Sequence, residues 1–255
     1  MSDVFVTDPT VTQLELFGKK LNFLDLGKNV APEIPVYPGH MKTSFWWHKT
    51  HEETKFSLGE ASNYPYGFGV KGIITCDHTS THVDAVYHFD PSKSHLSVDK
   101  ITLPELIAPA AWIDLSFVQG RVHITLDAVK RGLDAAQVTL KPGMILLYWT
   151  GIEPAGINDH KRYLSNYPGL DKEATTWLLD QGLVNIGTDA ASLDTPADLD
   201  YPNHTVHAER EVVHTESLVN ITKIPRHDNF YVAMFPLKFV GLTGSPVRAF
   251  AIWED

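Results

Sequence analysis

A chain of 255 residues, 43% of them hydrophobic, can bury a substantial core and sits near the upper size of one domain, so a single domain over residues 1–255 is expected. Its 31 acidic residues against 21 basic ones leave a net charge of -10, which repels phosphate backbones and anionic lipid heads; no nucleic acid or membrane partner is expected, and a small-molecule substrate remains. Cys76 is the only cysteine, so no internal disulfide and no cysteine-built metal site can form, and any metal must use His, Asp and Glu.

The first twenty residues, MSDVFVTDPTVTQLELFGKK, mix acids and polar residues among the apolar ones, and no later run approaches the roughly 20 apolar residues of a membrane span. With the sparing cysteine usage, this points to the cytoplasm. Next come Phe45-Trp46-Trp47, then Tyr64, Tyr66 and Phe68, which suit the wall of an apolar pocket for an aromatic or cyclic substrate and equally suit core packing or a subunit contact. Short runs rich in β-branched and aromatic residues predict strands at 72–75, 111–115, 144–149, 184–186, 230–235 and 247–253. Residues 126–138 have helical spacing, and 171–181 form the clearest helix: Asp171 caps it, Ala174, Trp177 and Leu178 share a stripe, and Gly182 stops it. Strands outnumber helices and several follow one another directly. A single α/β domain with a mixed β-sheet core flanked by helices therefore fits better than a regular βαβ winding.

The densest chemical signal is residues 78–89, HTSTHVDAVYHF, which place His78, His82, Asp84 and His88 within eleven positions. All four share parity, yet on a straight strand rising roughly 3.3 Å per residue His78 and Asp84 would lie about 20 Å apart. Metal–ligand bonds of about 2.0–2.2 Å demand that the chain turn inside the segment, and a helical turn from His78 to His82 with a return at Asp84 would do so. The plain alternative is a polar loop whose side chains are satisfied by water; three His and one Asp so close together favour metal binding over it. HTSTH lacks the Glu of zinc proteases. Two imidazoles and one carboxylate also match the facial triad of non-haem iron oxygenases, and spacing leaves that reading open. No G-x-S-x-G elbow occurs, which argues against a serine nucleophile.

Residues 78–89 resemble the HxGTHxDxPxHF signature of the metal-dependent cyclase-like hydrolases, the family of bacterial kynurenine formamidase, isatin hydrolase and related lactam and lactone hydrolases. Asp25-Leu26 with residues 35–39 resembles the family's opening segment, GTDAASLD at 187–194 its G-D-x-x-S-x-D stretch, and PLKFVGLTGSPVRAFAI its C-terminal strands. The motif's Gly is Ser80 here and its Pro is Val86. The resemblance implies a swivelling β/β/α fold and a divalent ion, Mn2+ or Zn2+, one or two per subunit, held by His78, His82 and Asp84 with His204 and Glu216 completing the site. It also implies His88 as a second-site ligand or the general base, Glu216 as a possible sharer of the proton work, and a homodimer or homotetramer in which Trp46 or Trp47 approaches a neighbour's site.

The activity so implied is hydrolysis of a C–N or C–O bond at the carbonyl of a small cyclic or aromatic amide, lactam, lactone or formamide, by water that the cation makes acidic. The other readings are the iron oxygenase and a family member that only binds a small molecule. Asp189 and Asp194 flank Ser192 and are read either as partners that orient imidazoles or as turn and cap residues. His48, His51, His95, His123, His160 and His214 are expected on solvated surfaces, and His207, close to His204, is left undecided.

Overall fold

The computed structural model describes residues 9–59 and 62–255. Its strands, in chain order, are β1 Thr12–Leu16, β2 Lys19–Asp25, β3 Ser44–Lys49, β4 Val70–Ile74, β5 His82–Asp84, β6 Ile107–Asp114, β7 His123–Ile124, β8 Ile145–Trp149, β9 Gly169–Leu170, β10 Asn185–Thr188, β11 Val213–Glu216, β12 Phe230–Pro236 and β13 Gly244–Glu254. Nine of them form one mixed sheet in the order β1-β2-β13-β12-β6-β8-β10-β11-β5. The run β6, β8, β10 and β11 is parallel, and the remaining neighbours are antiparallel.

β5 also pairs with the start of β13, which closes the strands from β13 round to β5 into a ring. β13 manages this by serving two neighbours in turn: residues 244–246 face β5 and residues 250–254 face β2. Side-chain alternation divides the apolar residues between two cores. On β8, Ile145 and Leu147 pack with Ala108, Ala110, Val232 and Ala249 from the other strands of the ring. Leu146 and Tyr148 take the opposite face, where helices Leu126–Ala136 and Lys172–Asp180 contribute Val129, Leu133, Ala174 and Leu178. Burial of both faces is why β8 reads as the unbroken apolar run ILLYW.

The six predicted strands and both predicted helices are present, with ends shifted by a few residues. The Thr125 side chain accepts from Ala128 N at the first helix, and Asp171 accepts from Ala174 N at the second, each satisfying a backbone donor that the helix leaves free. Among the described residues, no helix is long and apolar enough to cross a membrane.

β3 and β4 form a separate two-stranded ribbon, with helix His51–Leu58 between them. Trp46 lies opposite Gly72, and its ring occupies the space where any side chain at 72 would stand, since a Cβ there would come within 2.2 Å of it. Sequence reading offered these aromatics as a pocket wall, as core or as a subunit contact, and the structure corrects the first two, which do not hold within this chain: Trp46, Trp47 and Tyr66 remain 49%, 51% and 74% exposed, and none of the group reaches the cavity described below.

Candidate metal centre

Two short strands build the site because their alternation places chemistry on one face and core on the other. On β5, Val83 enters the ring's core while His82 and Asp84 face away from it; on β11, Val213 does the same and leaves His214 and Glu216 on the opposite side. The antiparallel register sets His214 opposite Asp84 and Glu216 opposite His82. Directly opposed side chains start about 4.5–5.5 Å apart at Cβ, within reach of a shared cation.

His78 joins them through a bend, as the spacing required, although the bend is not the helical turn expected. Ser80 takes a left-handed conformation with φ of 58° and the chain then enters β5 directly. That conformation costs about 1–2 kcal/mol for a residue with a Cβ, and here the Ser80 hydroxyl offsets it by donating to the carbonyls of Lys28 and Asn29, each at 3.1 Å. The position therefore accepts Ser where the motif has Gly. Val86, where the motif has Pro, begins helix Val86–Phe89, and Pro is favoured at such a first position only because its N–H has no helical partner to lose. Opposite Asp84 on β13, Gly244 makes room for the His78 ring, which a Cβ at 244 would meet at 2.7 Å.

The protons of these rings can be assigned from their partners. Thr243 Oγ1 donates to Asp77 Oδ2 at 2.7 Å, so it accepts from His78 Nε2 at 2.9 Å. His78 Nδ1 then faces Asp84 Oδ1 at 2.6 Å, a contact that needs a proton or a cation between the two atoms. His82 Nδ1 donates to Ser80 O at 3.0 Å, which leaves Nε2 facing Asp84 Oδ1 at 3.2 Å and Glu216 Oε2 at 3.5 Å. His214 Nε2 lies 3.0 Å from Asp84 Oδ2 and 3.2 Å from Glu216 Oε1. His204 Nδ1 donates to Asp194 Oδ2 at 2.6 Å and turns its other nitrogen toward the cavity.

Imidazole lone pairs directed at two buried carboxylates are stable only with positive charge among them, from protons or from a cation. The donors fall into two overlapping sets, His78, His82 and Asp84, and Asp84, His204, His214 and Glu216, with the candidate ligand atoms of each set within 4.8 Å of one another. Nitrogen and carboxylate donors of this kind suit a borderline divalent ion, so the residues present fit the group that the sequence implies. His88 belongs to neither set: its Nε2 is 3.9 Å from Asp84 Oδ2 and its ring lies 4.0 Å from that of His78, at the cavity wall.

Protons supply that charge when the cation is absent. Burial opposes an imidazolium at His82 and at His214, but the Asp84 and Glu216 carboxylates outweigh it and raise both to about 9. Burial pushes His88 down to about 4, with His78 and His204 adding to the effect against the pull of Asp84. A raised histidine contributes stability below its ordinary value of 6.5 and loses it as pH climbs through the folded value, here about 9. Chelator-treated protein is therefore expected to melt at lower temperature at pH 9 than at pH 6.5, by about 2–4 °C for each kcal/mol lost. Over the same window cation affinity rises, because ligation must displace those protons. Thermal melts at both pH values and calorimetry in buffers of different ionisation heat check this; a metal-free protein that melts higher at pH 9 overturns it.

Sequence reading placed His214 on the surface, and the structure corrects this: it is 0% exposed. Its only signal was period two with Glu216. His40, which also lines the cavity, carried none. Asp194 proves to be both cap and orienting partner, accepting from the backbone of Asn203 and His204 at the start of helix Pro202–Arg210 while holding the His204 ring. Asp189 holds the loop after β8, accepting from Thr150 N and Oγ1, Ile152 N and Glu153 N. The cavity, about 400 Å³, opens over the donors between Tyr37, Phe89 and Tyr201, with Ser192 and Thr205 as further polar groups and no Lys or Arg among the described residues that line it.

A kynurenine formamidase of Salinibacter ruber is 25% identical over 226 residues, covering 89% of this chain and 95% of that protein. An isatin hydrolase of Roseibium aggregatum is 28% identical over 204 residues, 72% of this chain and 75% of the other. In architecture, an isatin hydrolase solved with the product analogue thioisatinate superposes with a TM-score of 0.78 at 21% identity, covering 92% of this chain and 93% of that one. The model of the family described as putative cyclase matches residues 24–195, well over half of the chain, and the chain belongs to that family.

Proposed function

We propose that this chain is a metal-dependent hydrolase acting at the carbonyl of a small cyclic or aromatic amide, lactam, lactone or formamide. The observation that carries the reading is the pair of buried carboxylates, Asp84 and Glu216, ringed by imidazole lone pairs at the floor of the cavity. His78, His82 and Asp84 would hold one divalent cation, and Asp84, His204 and Glu216 would provide for a second. A cation held there lowers the pKa of water and polarises a substrate carbonyl. His88, neutral at pH 7, takes a proton from the attacking water and returns it to the departing nitrogen or oxygen, with Glu216 as the alternative acceptor.

Tyr37, Phe89 and Tyr201 suit a flat ring. The kynurenine formamidase and isatin hydrolase relatives support amide chemistry of this class. Zn2+ and Mn2+ both accept these donors. We further propose a cytoplasmic homodimer or homotetramer, supported by the exposed aromatic ribbon that carries Trp46 and Trp47, a surface of the kind that mediates association.

The test is an assay of purified protein, run with and without dioxygen, against isatin, an aryl formamide, a bicyclic lactam and an unsaturated lactone. Hydrolysis that stops on chelation and returns with Mn2+ or Zn2+ supports the reading. Turnover that needs iron and dioxygen points to the oxygenase, and fully metallated protein that turns over nothing in the panel leaves a binding protein; either result sinks it.

A further inference from the structure

The two donor sets contain one imidazole more than the motifs account for, His214, and that imidazole has a buried neighbour. His214 lies with Nε2 between Asp84 and Glu216, while its Nδ1 is buried and has no hydrogen-bond partner. His207, also fully buried, has Nε2 in the same condition. The two rings meet edge to face, with centroids 4.8 Å apart and planes at 89°.

The two unpaired nitrogens are complementary. His207 Nδ1 lies 2.8 Å from Val212 O, and a carbonyl only accepts, so Nδ1 carries the proton and Nε2 is a bare acceptor. A His214 ring that binds a cation through Nε2 must carry its own proton on Nδ1, which makes that atom a donor in need of an acceptor. Ligation by His214 thus turns two orphaned atoms into a matched pair. A neutral ring with the proton on Nε2 would instead leave both of these buried atoms as bare acceptors.

We propose that His214 is a fourth protein ligand of the second cation, and that His207 is its positioning residue, accepting from His214 Nδ1 directly or through one buried water. This rests on the metal-centre reading above. It also divides the labour between the sets. Asp84, His204, His214 and Glu216 supply four ligands, as closed and tightly held sites do, whereas His78, His82 and Asp84 supply three and leave a position open for water or substrate.

The test measures zinc per chain and zinc affinity by elemental analysis and calorimetry on full-length protein, with a cooperative melt confirming each variant's fold. Wild type is expected to bind two ions, and His214→Asn to retain only the weaker. His207→Leu should weaken the tighter ion about 10–100-fold, the usual effect of removing an orienting partner. His207→Gln, whose amide oxygen accepts as the imidazole does, should stay within a few-fold of wild type. Two ions at wild-type affinity in His214→Asn overturn the ligand assignment, and equal loss in His207→Leu and His207→Gln overturns the positioning role. A wild type that binds one ion overturns this inference and leaves the hydrolase reading standing; a wild type that binds none sinks both.

Discussion

Asp84→Asn is expected to empty the site of cation and to lower hydrolysis by at least about 10³-fold, the scale of losing electrostatic stabilisation of the reacting carbonyl. Asp84 is the residue common to both donor sets. Its Oδ1 faces His78 Nδ1 and His82 Nε2, its Oδ2 faces His214 Nε2, and the residue is 1% exposed, so no water can take its place. The neighbouring imidazoles hold its carboxyl well below the usual range even though burial works in the opposite direction. An amide keeps the shape and forfeits the charge, and it offers one acceptor where two are used. His82→Ala, by contrast, is expected to cost the first set only. Elemental analysis alongside kcat checks the prediction on protein that still melts cooperatively, and wild-type metal content with activity within tenfold of wild type would refute it.

How much of this was legible in the sequence depended on how each strand pays out its side chains. β6, β8, β12 and β13 bury apolar residues on one or both faces, so composition announces them. β5 and β11 are three and four residues long and each give two positions to His, Asp or Glu, which leaves too little apolar pattern to read as strand. The functional strands were therefore the ones that periodicity missed. His78, His82, Asp84 and His88 were visible because they crowd a short segment, and the need for a bend followed from strand rise alone. The form of the bend did not, because a left-handed Ser80 depends on the Lys28 and Asn29 carbonyls, which come from a distant stretch of chain. His204 and Glu216 entered only through family resemblance. What unites them is tertiary: Asp194 fixes His204 from the loop after β10, and β5 aligns Glu216 by register.

The ribbon shows the same division between local and distant information. Its aromatics look in sequence like any pocket wall, and only the pairing of β3 with β4, apart from the main sheet, shows that they face outward from this chain. The cavity is walled instead by Tyr37, Phe89 and Tyr201, three residues scattered over the length of the chain with no common periodicity.

His88→Asn should separate proton transfer from metal binding, lowering kcat by about 10²–10⁴-fold while metal content stays at the wild-type level. The ring stands outside both donor sets yet within 4.0 Å of the His78 ring and at the cavity wall, which is where a group must be to reach the attacking water. Burial sets its protonation: with its value pushed down to about 4, the ring is an open acceptor at neutral pH and gains a competing proton only as pH falls through that value. Under saturating metal, whose charge opposes protonation of the ring further, the acid limb that His88 imposes on kcat therefore lies at or below about pH 4 and not near 6.5. Added imidazole should restore part of the rate in His88→Ala, a rescue that a ligand or packing role would not give. If His88→Asn lost its cation along with its activity, His88 would be a ligand, and the proton would have to leave through another acceptor beside the cavity, with Glu216 the candidate.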